Sequence, residues 1–175
     1  MKLIIPQLNE LSYRKKILSD PDTMAYNKDY DLNLYGYDKK TGCIKFPESQ
    51  WQHWYSYWIG REPERFYSYI FVGEIGTYIG EVALRYVEAE KAHVINVIIE
   101  AQYRGRGYGK IALELLLQKA FIDLKLKRVI DEIPVTRKDS IKLFERIGFR
   151  KRLKGNMVRF SLTLEQYRDN LNTKF

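Results

Sequence analysis

The sequence predicts an α/β chain of the α+β kind, a mixed and mostly antiparallel sheet with flanking helices. Three strand-like segments, Phe66 to Val72, Thr77 to Val87 and His93 to Glu100, follow one another across short turns at Gly73 to Gly76 and Glu88 to Lys91. Consecutive strands so closely spaced form an antiparallel meander. A long helix-periodic stretch opens at Tyr108 and leads into another apolar segment, Arg128 to Val135. No repeat, low-complexity tract or compositional break interrupts the 175 residues. With 45% hydrophobic residues and 14% aromatics, ample for one core, a single domain over residues 1–175 is expected.

Taken in order, residues 2 to 8 read as a first strand and Asn9 to Ser19 as a helix. The helix stops before Asp20-Pro21, because a residue ahead of proline is pushed out of the helical region. Residues 20 to 46 carry Tyr26, Tyr30, Tyr35 and Tyr37 among Asp, Asn and Gly, and are expected to form a long ordered loop of the kind that often has a function. Pro47 suits the first turn of a helix from Glu48 to about Gly60, on which Trp51, Trp54, Tyr55 and Trp58 recur at i, i+3, i+4 and i+7. In the helix from Tyr108 to about Leu124, Tyr108, Ile111, Ala112, Leu115 and Leu116 repeat with helical spacing and predict one buried face. Lys138 to Ile147 reads as a short helix ending at Gly148. Phe149 to Leu164 reads as a hairpin turning at Gly155-Asn156, with a terminal helical turn after it.

Thirty lysines and arginines against 22 acidic residues leave a formal charge of +8. Such a balance favours an anionic partner, a phosphorylated cofactor, nucleic acid or acidic surface, and equally describes a solvated basic surface. No recognised nucleic-acid-binding motif accompanies the charge, so nucleic acid is not the expected partner. The one cysteine, Cys43, excludes an internal disulfide framework and a multi-cysteine metal site, and no metal is expected. A lone thiol suits a reducing cytoplasm. The apolar run at Met1 to Leu8 is broken by Pro6 and too short for a signal-peptide core, and no stretch is long enough to span a bilayer. A cytoplasmic protein with no membrane partner is expected.

The strongest chemical signal is Arg104-Gly105-Arg106-Gly107-Tyr108-Gly109-Lys110, between a strand and a helix. Three glycines in five positions let the backbone approach a ligand and point several N–H groups at it, and the helix N-terminus adds partial positive charge at the same spot. With Arg104, Arg106 and Lys110, the turn suits a pyrophosphate; a plain strand-to-helix turn seldom needs so many glycines and cations. A Walker A loop requires Ser or Thr after its Gly-Lys, and Ile111 stands there. A dinucleotide fingerprint requires a third glycine where Lys110 stands, although Asp131 lies near the distance of its ribose-binding acid. The meander also fails to alternate strands with helices as a doubly wound domain does.

These residues resemble the acetyl-CoA signature of the GNAT acetyltransferase superfamily: Arg or Gln, two residues, Gly, one residue, then Gly or Ala. Arg104, Gly107 and Gly109 fill it. The likeness extends over Ile98 to Lys110, and Leu143-Phe-Glu-Arg-Ile-Gly-Phe149 is similar to the superfamily's LYEKLGF segment. It covers residues 66 to 164, while the N-terminal part agrees in element order alone. The resemblance implies a GNAT fold, with two parallel strands that splay apart. It implies an acetyl-CoA-dependent N-acetyltransferase, an acyltransferase moving acetyl from the thioester to a primary amine of a small molecule or protein. It also implies that the cofactor arm pairs with the main chain at Val97, Ile98 and Ile99, beside a phosphate turn of Arg104, Gly105, Arg106, Gly107, Tyr108, Gly109 and Lys110.

In such a site a backbone N–H beside the thioester polarises its carbonyl, the amine must lose a proton and the departing thiolate must gain one. In many relatives the tyrosine of the LYEKLGF segment gives that proton; here Phe144 has none to give, and Arg137 replaces an aligned asparagine. Tyr103 and Tyr108 are nearby phenols. For the base, counting back from the turn puts His93 near the glutamate of the superfamily's histone acetyltransferases, with Glu81 and the Asp131-Glu132 pair as alternatives. Each is also what an exposed strand-end side chain looks like. The family's acceptor pocket is walled by the region between the first strand and the second helix. There Trp51, Trp54, Tyr55 and Trp58 suit an alkylammonium or amino sugar through cation–π contact, or else pack as core or a homodimer interface. Phe144 and Arg137 keep a second class open, a GNAT-like sensor or interaction module that binds acyl-CoA without turnover.

Overall fold

The computed structural model describes residues 1–28, 30 and 32–172. Its strands are β1 (Lys2–Ile4), β2 (Arg65–Val72), β3 (Thr77–Val87), β4 (Ala92–Ile99), β5 (Arg128–Pro134), β6 (Arg150–Lys154) and β7 (Met157–Thr163). They form one seven-stranded sheet in the order β1-β2-β3-β4-β5-β7-β6. Every described pairing is antiparallel except that of β4 with β5, which a helix connects. A parallel pair needs such a crossover, because a tight turn can only reverse the chain. The helices are α1 (Leu11–Ser19), α2 (Pro21–Met24), α3 (Trp51–Trp58), α4 (Tyr108–Gln118), α5 (Lys138–Ile147) and α6 (Leu164–Asn172).

The meander, the crossover helix and the terminal hairpin follow the sequence pattern, with Gly148 (φ 104°) closing α5 and Gly155 (φ 60°) turning the hairpin. Four expectations need correction. The first strand ends at Ile4, since Pro6 lacks a ladder donor. The third helix begins at Trp51, behind a short 3-10 turn at Glu48–Gln50. The tyrosine loop opens with a helical turn, α2, capped by the Asp20 side chain accepting from the Asp22 amide, and a 3-10 turn at Ala25–Asn27 follows. The last residues form a true helix, α6, whose Tyr167 stacks on Phe121 at 4.9 Å.

The buried stripe of α4 is rotated by one residue from the expected one. Ala112, Leu113, Leu116 and Leu117 are buried, and the stripe continues through Ala120 and Phe121 in a π turn, Lys119–Asp123. Ile111 is exposed. Two overlapping stripes have helical spacing in this segment, and the one that buries is the longer. Each fully buried leucine there contributes about 1.5–3 kcal/mol.

Helices α4, α5 and α6 cover one face of the sheet, where Ile95, Ile99, Val129 and Ile133 meet the α4 stripe. Helices α1 and α3 cover the other, packing on Ile98 and on Tyr67, Tyr69 and Ala83. Between β4 and β5 the ladder holds two pairs, His93 with Val129 and Val94 with Ile130, and beyond them the strands part. One glycine sets the course of β4: a Cβ on Gly80 of β3 would lie 2.0 Å from the Ile98 carbonyl oxygen. Gly80→Ala should therefore destabilise the protein by about 1–3 kcal/mol, through overpacking against backbone. Urea denaturation checks this, and a variant as stable as the parent would contradict the close approach.

Candidate active site

The parting of β4 and β5 opens a cleft. On the α4 face it widens to a cavity of about 440 Å³ walled by Val97, Ile99, Ile133, Leu113 and Phe144, with Tyr26 and Tyr30 from the tyrosine loop on its rim. The Ile98 carbonyl faces β3 at Gly80, so strand alternation turns the main-chain groups of Val97 and Ile99 the other way, into the cleft. Ile98 does not share that role; its side chain packs against α1 on the opposite face.

The glycine turn lies at one end of this cavity, where Gly109 lines the wall. Gly105 (φ 75°) and Gly107 (φ 81°) adopt left-handed conformations that favour glycine, and Gly107 is the N-cap of α4 with no side-chain cap. Among the described residues, no protein group accepts from the amides of residues 105 to 109. A Cβ on Gly105 or Gly107 would meet nothing within 4 Å. These are free donors around open space, with the positive end of the α4 dipole behind them, and they suit an anion.

Arg104 lines the same cavity. Its guanidinium donates to three carbonyls, of Ile99 at 3.0 Å, Asp22 at 3.2 Å and Thr23 at 2.6 Å, and so ties α2 to the turn. Burial and the neighbouring Arg137 both lower its pKa. Lys110 pairs with Glu114 at 3.5 Å, and Arg106 lies 5.9 Å from the Tyr103 ring. Tyr103 and Tyr108 pack on the core rather than lining the cavity. Arg137, which sequence reasoning marked only as a departure from the family pattern, lines the cavity and lies 5.2 Å from the Tyr26 ring.

A second cavity, of about 310 Å³, lies on the α3 face, walled by Trp54, Trp58, Tyr67, Glu81, Ala83 and Arg85. Asn96 and Asp131 line both cavities, so the split between β4 and β5 joins them. Arg14 of α1 sits at the floor. Its guanidinium is paired with Glu81, lies 4.7 Å from the Trp54 ring and 5.2 Å from the Tyr67 ring. Tyr67 donates to the other oxygen of Glu81. Burial opposes the charge on Arg14, but Glu81 and Tyr67 outweigh it and hold the guanidinium protonated above its usual range. The cation that the aromatic stripe holds is thus the protein's own. Trp51 and Tyr55, the rest of that stripe, pack with Phe46 in the core beneath α1 and α3.

The four candidate bases separate. Glu81 is 1% exposed and fully engaged. His93 lines neither cavity; its ring nitrogen lies 2.8 Å from the Pro63 carbonyl and burial lowers its pKa. Glu132 is exposed beside Lys154 and Arg159, at 3.3 and 3.4 Å. Asp131 is half-buried at the junction, and desolvation pushes its carboxyl up to about 7 despite the Glu132 amide it accepts from. Tyr26 is a functional candidate that sequence reasoning left among the loop tyrosines. It lines the cleft cavity, and burial, then Glu81, pushes its phenol up to about 12.

A family profile described as an acetyltransferase (GNAT) domain matches residues 6–150. No curated protein matches the sequence. Among solved structures, spermidine N-acetyltransferase from Vibrio cholerae in complex with CoA and spermine superposes with a TM-score of 0.74 at 14% identity, over 95% of this chain and 97% of that one. Mutant forms of the spermidine/spermine N-acetyltransferase from Vibrio cholerae superpose with a TM-score of 0.72 at 16% identity, over 99% and 98%. At such identities the likeness is one of fold. With the family profile spanning most of the sequence, and the free-amide glycine turn and split parallel strands in place, the chain belongs to the GNAT acetyltransferase family.

Proposed function

We propose that the protein transfers acetyl from acetyl-CoA to a primary amine, with the cofactor entering on the α4 face and the amine on the α3 face. The observation that carries this reading is the junction: two cavities on opposite faces of the sheet share Asn96 and Asp131. The solved relative that holds CoA and spermine supports CoA as the cofactor.

The residues fit that cofactor. The free amides of residues 105 to 109 would hold its pyrophosphate, with Arg106, Lys110 and Arg137 as flanking cations. Val97 and Ile99 would pair with its amide-bearing arm as a missing strand would. Bound there, acetyl-CoA supplies a thioester carbonyl open to attack by a neutral amine. The Val97 N–H, fixed before the reaction starts, stabilises charge developing on the carbonyl oxygen.

Asp131 takes the proton of the incoming ammonium, directly or through one water, because a carboxyl with a pKa near 7 is largely ionised just above neutrality and still basic enough to accept. Tyr26 acts at the sulfur. Its phenol is a weaker acid than a thiol, whose ordinary pKa is about 8.5, so it remains protonated and stabilises the thiolate by donating a hydrogen bond. This assigns Tyr26, from the tyrosine loop, the place that Phe144 leaves empty. Phe144 also favours a second reading, an acyl-CoA-binding module without turnover.

Four outcomes test the proposal. The kcat/KM for the amine should rise with pH through an apparent pKa near 7, and Asp131→Asn should lower kcat by about 10²-fold or more and remove that limb; an unchanged limb in the variant would exclude Asp131. The same substitution has a signature in stability. The folded carboxyl keeps its proton to higher pH than the unfolded one, so native stability is lost as pH rises from about 4 through 7. Asp131→Asn should then raise Tm at pH 8 and leave it unchanged at pH 4. Gly107→Ala, strained at positive φ and facing the anion site, should weaken acetyl-CoA binding by about tenfold or more in calorimetry. Acetyl-CoA binding with no thiol release across a broad panel of amines would favour the module.

A further inference from the structure

The geometry points to an acceptor that carries a carboxylate as well as its amine, with Arg85 as the residue that receives the carboxylate. This rests on the transferase reading and names the substrate class for the same site.

Strand alternation puts Glu81, Ala83 and Arg85 of β3 on the α3 face, and all three line the amine-side cavity. A polycationic amine would need free carboxylates there. Glu81 is not free, because Arg14 and Tyr67 occupy both its oxygens. The seat beside the Trp54 ring is not free either, because the Arg14 guanidinium fills it at 4.7 Å. Asp131 remains, and in the proposed reaction it is engaged by the amine that reacts, so it is not free to hold a second ammonium.

With Asp131 engaged by the reacting amine and Arg14 paired with Glu81, the charge left unbalanced at this site is that of Arg85. Arg85 is exposed at the cavity wall, and its guanidinium makes no hydrogen bond or ion pair with any described residue. Directly opposite it in the ladder stands Arg65. Like charges so placed repel, although Arg65 is turned to other partners, Glu64 at 3.8 Å and Tyr57, whose ring it covers at 3.8 Å and whose hydroxyl accepts from it at 2.8 Å. The Nε atoms of Arg65 and Arg14 are both buried without a hydrogen-bond partner. An anion beside Arg85 relieves the repulsion and gives the guanidinium a bidentate partner, whereas a second ammonium would add to the repulsion. The amine that suits this cavity is therefore an amino acid or an acidic peptide terminus, unlike the amines named for the solved relatives.

The test uses primary amines of equal chain length that differ only at the far end: ω-amino carboxylates, n-alkylamines and α,ω-diamines with three- and five-carbon chains. Thiol release from acetyl-CoA gives kcat/KM, and the rise in Tm of the CoA-bound protein gives binding without turnover. The carboxylate-ended acceptors should exceed the diamines by about tenfold or more. Arg85→Ala should abolish that preference and Arg85→Glu should turn it toward the diamines, both with an unchanged Kd for acetyl-CoA. A diamine preference in the parent protein, or a carboxylate preference that survives Arg85→Ala, would overturn the assignment. Thiol release with none of the amines would overturn the transferase reading instead, and the Tm series would still decide what Arg85 binds.

Discussion

The site depends on one constraint, a parallel contact between β4 and β5 that is two residue pairs long. Each strand is held firmly from its other side. All of β4 pairs with β3, and all of β5 pairs with β7. The sheet is in effect two well-bonded halves that touch at one end, and the gap between them needs no broken ladder elsewhere. The gap leaves the main-chain groups of Val97 without a strand partner in the cleft, while the Ile99 carbonyl accepts from Arg104; such unpaired groups are favourable only where water or a ligand completes them. It also lets a molecule on one face of the sheet reach one on the other. Without the split, Asn96 and Asp131 would belong to a closed sheet, and the two cavities would be separate surface hollows.

The Arg14, Glu81 and Tyr67 cluster is the second organising feature. A buried ion pair adds little net stability over well-packed apolar residues, but breaking one half leaves an uncompensated charge and costs about 3–5 kcal/mol. The cluster is better understood as a determinant of the site's charge. It joins α1 to β2 and β3 beneath Trp54 and makes a carboxylate at the cavity floor electrically silent, so that Arg85 and Asp131 are the charged side chains left on the cavity wall without an ion-pair partner among the described residues. On the other face the charge pattern is simpler: backbone amides and the α4 dipole present partial positive charge, and Arg104 keeps its guanidinium on protein carbonyls.

What was legible in the sequence was local. The glycine turn, the Leu143 to Phe149 segment and the meander each occupy one short stretch, and the steric needs of turns and strands write themselves into adjacent residues. The amine-side cavity was not legible. Arg14 and Glu81 lie 67 residues apart, and nothing in the neighbourhood of either marks the other. Nor does the sequence around Arg104 show that its guanidinium ties α2 to the turn, because the carbonyl it reaches at Thr23 is 81 residues away. His93 illustrates register: it is near the expected position along β4 but belongs to the paired end of the strand, against Pro63, before the split opens. The tyrosine loop stands out in the sequence by composition alone; that Tyr26 and Tyr30 line the cleft cavity is a matter of tertiary placement.

The measurement that bears most directly on the split-sheet account is amide chemical-shift perturbation on adding CoA to the isotopically labelled protein. The account predicts that the largest shifts fall on two separated groups, Gly105 to Gly109 at the start of α4 and Val97 with Ile99 along the open edge of β4, with Asp131 across the gap. Shifts confined to the glycine turn, or gathered instead on the basic edge strand β6, would mean that the cleft between β4 and β5 is not where the cofactor lies.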